Sequence, residues 1–102
     1  MPTPPPIEFP PEVAAEVITA WRWYAERSET AATRFTEELD HAIDQIAASP
    51  DRWPTHVHGS RRYRMHRFPY LIVYRVKDAR IQIIACQHGR RKPGYWRDRL
   101  AP

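Results

Sequence analysis

Near Ser60 the spacing of apolar residues in this chain changes from every third or fourth position to every second, and no other feature limits its fold so strongly. Upstream, Val13, Val17, Trp21 and Tyr24 recur at helical spacing, with Ile18 and Ala25 widening the stripe. Phe35, Leu39, Ala42, Ile43 and Ile46 form a second such face. Pro11 suits the first turn of the first helix, and Glu12 complements its N-terminal dipole. Ser28-Glu29-Thr30 breaks the pattern and offers caps for the second helix, which Ser49-Pro50 ends. Downstream, Arg62 to Phe68, Tyr70 to Val76 and Arg80 to His88 read as strands, with Lys77-Asp78-Ala79 as a tight turn between the last two. Ile7-Glu8-Phe9 is a short strand candidate ahead of the helices. The expected fold is α+β in the order β-α-α-β-β-β. A short N-terminal strand and an antiparallel helical hairpin precede a mainly antiparallel sheet. The hairpin covers one sheet face and leaves the other face, or its rim, available.

The 102 residues suffice for one domain, expected over residues 7–102, with residues 1–6 as a proline-rich lead-in. "MPTPPPIEFPP" lacks the charged and apolar regions of a signal peptide. No apolar run approaches the ~20 residues of a membrane-spanning helix. Cys86 is the single cysteine, so the fold rests on packing rather than a disulfide, and a reducing cytoplasm fits.

Charge is divided unevenly along the chain. Met1 to His58 carries 4 Lys/Arg and 10 Asp/Glu, a balance of −6; Gly59 to Pro102 carries 12 and 2, a balance of +10, and the two sum to the net +4. The second half is therefore suited to an anionic partner. Its densest point is His88-Gly89-Arg90-Arg91-Lys92, after the last strand, where consecutive cations repel unless an anion or partner is near.

Cleaving RNA without metal requires a base for the 2′-hydroxyl, cations for the phosphate and an acid for the leaving oxygen. His88 suits either proton role. Arg90, Arg91 and Lys92 follow it, with Tyr95 beyond Pro93-Gly94. On the first of the three strands Arg62, Arg64 and His66 alternate with Tyr63, Met65 and Arg67 and so share a face. A carboxylate base has to come from the N-terminal half, because Asp78 and Asp98 are the only acids in the second. His56 and His58 read as loop residues exposed to solvent, Cys86 as buried packing, and Trp21, Tyr24, Tyr70 and Tyr74 as core. Trp23 falls off the helical stripe, at a rim or a partner contact. No metal or nucleotide motif is present.

The segment "RRYRMHRFPYLIVYRV", followed after a short turn by "ARIQIIACQHGRRKPGYW", resembles the RelE/ParE superfamily of type II toxin–antitoxin toxins. The resemblance extends from Ile7 to about Arg99. It implies a small basic toxin without cofactor, neutralised by a cognate antitoxin. RelE-like members cleave mRNA on the ribosome, and ParE-like members bind DNA gyrase. Nuclease members carry an arginine where this chain has Leu71, and their histidine–tyrosine pair after the last strand is not intact here. The resemblance thus favours the gyrase-binding class, with ribosome-dependent mRNA cleavage as the alternative. Nuclease candidates are His88, Arg64, Arg91 and Tyr95. Candidates for target binding are Arg62, Arg64, Arg75, His88, Arg90, Arg91, Lys92 and Tyr95, and for antitoxin binding Trp23 and Arg27. No membrane or small-molecule partner is expected.

Overall fold

Two adjacent prolines separate the first strand from the first helix. In the computed structural model, which describes residues 5–100, β1 spans Ile7–Glu8 and α1 spans Pro11–Ala25. Pro11 occupies the first turn, where a missing N–H costs nothing. The Pro10 carbonyl accepts from the amides of Val13 and Ala14. The N-cap of α2, Glu29–Ala48, is Ser28, whose hydroxyl accepts from the Ala31 amide at 3.1 Å. The anticipated lead-in falls partly on residues 1–4, which lie outside the described residues.

The remaining strands are β2 (Arg61–Arg64), β3 (Tyr70–Lys77) and β4 (Arg80–His88). They form one mixed sheet in the order β1-β4-β3-β2, with β1 parallel to β4 and the other pairs antiparallel. The α+β order β-α-α-β-β-β is as anticipated. Asp78 and Ala79, both in the left-handed region with φ of 53° and 58°, make the two-residue turn whose twist matches the strands it joins.

Phe35, Leu39, Ala42 and Ile46 of α2 pack on Ile72, Tyr74, Ile81 and Ile83 of the sheet. The Phe35 ring sits 5.3–5.6 Å from the rings of Tyr24, Phe68 and Tyr70. α1 departs from its anticipated face. Trp21 is 43% exposed and Ile18 is also exposed, whereas Val13 and Ala20 are buried. The helix meets the sheet along a line through the small Ala20, and this displaces the larger apolar residues to its flank.

Two further expectations are corrected. The strand anticipated over Arg62 to Phe68 ends at Arg64, because Met65 to Pro69 form the connection to β3. There Glu38 of α2 accepts from the backbone amides of both His66 and Arg67. His66 therefore leaves the alternation that was to align it with Arg62 and Arg64. The sheet face away from the helices is not open either. A bulge between Val73 and Tyr74 leaves Ile84 unpaired, so that Ile84 and Ala85 both join Val73 on the outer face. Trp96, fully buried, lies across these three, with Tyr95 and Leu100 packed beside it.

Candidate functional site

β4 delivers its last residues to a tip whose backbone is held in place. The Gly89 amide donates to the Pro69 carbonyl at 2.7 Å, and the Arg91 amide to the His88 carbonyl at 3.0 Å. The Arg90 amide donates to Nδ1 of His88 at 3.1 Å, which puts the ring proton on Nε2. Gln87, buried on the outer face, donates to the Arg91 carbonyl and accepts from Trp96 Nε1, both at 2.8 Å. The side chains of Arg90, Arg91 and Lys92 remain exposed, and none forms an ion pair among the described residues.

A cleft of about 460 Å³ opens between α1, the end of β4 and the C-terminal segment. Tyr70, His88, Arg91, Tyr95 and Arg99 line it, facing Glu12, Glu16 and Thr19 of α1. Three of the anticipated site residues, His88, Arg91 and Tyr95, are thus brought together. The carboxylate expected from the N-terminal half is Glu16. One of its oxygens accepts from the Cys86 amide at 3.1 Å and from Arg99 at 2.9 Å; the other accepts from the Tyr95 hydroxyl. The Arg91 guanidinium lies over the Tyr95 ring, 3.4 Å from its centre. Burial first, then the hydrogen bond to Glu16 and its charge, push the Tyr95 phenol well above the usual tyrosine range.

The other candidates are placed elsewhere. Arg64 is exposed on the edge strand β2. Arg62 is half-buried, with Nη1 3.4 Å from Nδ1 of His56. Arg75 points under the C-terminal segment, donating to Gln82 at 2.7 Å and to the Leu100 carbonyl at 3.0 Å. Trp23, 52% exposed at the end of α1, is covered by Arg27, whose guanidinium sits 3.7 Å above the ring and donates to the Trp23 carbonyl. The structure thus pairs the two residues anticipated for antitoxin contact.

Cys86 is buried as expected. Burial, reinforced by the Glu16 charge, pushes its thiol up to about 12. A thiol reagent such as DTNB is expected to leave the native protein unlabelled at neutral pH and to react stoichiometrically once the chain is unfolded. Rapid labelling of the folded protein would contradict this placement.

His56 was anticipated in solvent but is half-buried against Trp96, with ring centres 6.1 Å apart. Its Nε2 is enclosed without a hydrogen-bond partner. Burial first, then the neighbouring Arg62 and His58 charges, lower its pKa from 6.5. The unfolded chain therefore takes up this proton at a higher pH than the folded one. The stabilisation is complete above about 6.5 and is lost as pH falls towards the lower folded value. The melting midpoint should drop between about pH 7.5 and 5.5, and the drop should be smaller for His56→Gln. An identical pH dependence in both proteins would remove His56 from this role.

Sequence reasoning missed Glu16 and Arg99, since neither lies in a motif and they meet only when the C-terminal segment folds back on α1. Among the described residues no group of three or more His, Cys, Asp or Glu is placed to hold a metal. The arrangement presents cations on a rigid strand end and keeps its one well-placed carboxylate occupied, which is the chemistry of anion or partner recognition.

A search of curated proteins finds no match. Among solved structures the chain is similar to one titled "Chromosomal ParDE TA system from P. aeruginosa", with a TM-score of 0.71 and 19% identity, covering 81% of this chain and 94% of the other. At that identity the likeness concerns the fold. The model of the family described as "ParE toxin of type II toxin-antitoxin system, parDE" matches residues 7–93, nearly the whole described fold. The chain belongs to the ParE toxin family of type II toxin–antitoxin systems.

Proposed function

We propose that this chain inhibits DNA gyrase by binding it through His88, Arg90, Arg91 and Lys92, and that a cognate antitoxin neutralises it. The carrying observation is the state of Glu16. The carboxylate beside Tyr95 already accepts from three donors, and the Tyr95 proton is held by it. A general base must have a free lone pair aimed at the substrate, and a general acid must release its proton as the transition state forms. The Glu16–Tyr95 pair does neither, whereas the cations beside it are exposed and lack carboxylate partners. Leu71, opposite Gln87 at the start of β3, adds no cation where the nuclease class of the resemblance has one. Arg62 and Arg64 extend the basic surface on β2, while Arg75 serves to fasten the C-terminal segment.

The antitoxin surface is placed on the helical hairpin, where Trp23 and Arg27 lie at the end of α1 and Ile18 and Trp21 are exposed along it. An amphipathic helix or an added strand suits such a surface.

One observation favours mRNA cleavage as the second reading: His88 and Arg91 line the same cleft. Controlled expression separates the two. Gyrase inhibition gives filamentous cells, a DNA-damage response and trapped cleaved DNA. Codon-spaced cuts in translated mRNA that vanish in His88→Ala would instead establish the nuclease.

A further inference from the structure

We propose that Glu16 is the positioning residue of the basic tip, fixing Tyr95 as the platform on which Arg91 lies. The inference rests on the reading of that tip as the target-binding edge and adds the residue that sets its geometry. Glu16 occupies the middle of α1, half-buried, with its side chain turned towards β4 rather than solvent. Its carboxylate ties three separate parts of the chain together. The Cys86 amide belongs to β4, the Tyr95 hydroxyl to the segment after the tip, and Arg99 to the turn that ends the described chain. Arg99 also donates to the Ile84 carbonyl at 3.1 Å, so the same clamp closes on the outer strand backbone.

Two cations share the Tyr95 ring. Arg91 lies 3.4 Å and Arg99 5.4 Å from its centre. Like charges so close repel unless an anion lies between or beside them. Glu16 is that anion, with its oxygens on Arg99 and on the tyrosine hydroxyl. Removing its charge frees the ring to rotate and lets the two guanidinium groups separate. Arg91 then loses a defined plane and reverts to a mobile side chain. A preorganised guanidinium loses less freedom on binding than a mobile one, so the cost appears in affinity for the target.

The test reads position and function separately. In the parent the Arg91 side-chain Hε resonance is displaced by the Tyr95 ring current, and Glu16→Gln is expected to return it to its ordinary value. Tyr95→Phe, which keeps the ring but removes its bond to Glu16, should produce the same change in smaller degree and serves if Glu16→Gln fails to fold. Growth inhibition by Glu16→Gln should fall about tenfold to a hundredfold, the equivalent of one lost charge-assisted hydrogen bond. In an Arg91→Ala background the same substitution should change inhibition less than about twofold, because a residue acting through Arg91 has nothing left to position. An Arg91 resonance unmoved in both variants overturns the proposal, as do losses that simply add in the double variant. An Arg91→Ala protein as toxic as the parent would instead defeat the reading of the tip, while the resonance still decides whether Glu16 positions Arg91.

Discussion

Replacing Trp96 by alanine is expected to lower the melting midpoint by roughly 12 °C or more, from a loss of about 3–5 kcal/mol for a buried large aromatic in a domain of this size. Trp96 is fully buried and covers Val73, Ile84 and Ala85, which nothing else among the described core clusters shields so directly. Its Nε1 donates to Gln87, and Gln87 in turn holds the Arg91 carbonyl. The substitution therefore opens a cavity and leaves the buried Gln87 amide short of a partner, two costs in one place. Trp96→Phe keeps most of the apolar cover and loses only the hydrogen bond, so it should melt between the two. Thermal unfolding followed by circular dichroism measures all three proteins. A Trp96→Ala protein melting within a few degrees of the parent would mean that the C-terminal segment is not part of the folded core.

The second large effect lies in function with stability nearly unchanged. The double variant Arg90→Ala with Arg91→Ala should abolish growth inhibition while shifting stability by less than about 1 kcal/mol, since each site is exposed and unpaired. What the variant removes is the pair of cations on a tip whose backbone the Gly89, Arg90 and Arg91 amides and the Gln87 side chain fix independently. Undiminished toxicity would show the tip to be a solvated surface. A large drop in melting midpoint would make it structural instead. Measuring toxicity and melting on the same protein separates these outcomes.

Much of the fold was legible because it follows from local rules. α2 repeats Phe35, Leu39, Ala42 and Ile46 on one face and carries its own cap in Ser28. β4 ran as anticipated from Arg80 to His88, bounded by a two-residue turn on one side and Gly89 on the other. What escaped depends on contacts distant in sequence. Trp21 looks like core by spacing, but its exposure follows from how closely α1 approaches the sheet at Ala20. The early end of β2 reflects Glu38, 28 residues before His66, accepting from the turn amides. The outer face seemed open because Trp96 stands in no periodic pattern. Within the site, His88 and Arg91 were legible from charge density beside a strand end. Glu16 was not, since it contacts Tyr95 from 79 positions away.

Supercoiling of relaxed circular DNA by purified gyrase, with increasing amounts of the purified chain, tests the central claim most directly. The account predicts dose-dependent loss of supercoiling by the parent, relief on adding the cognate antitoxin, and no inhibition by the Arg90→Ala, Arg91→Ala protein. Full gyrase activity at parent concentrations that saturate the cognate antitoxin would contradict it.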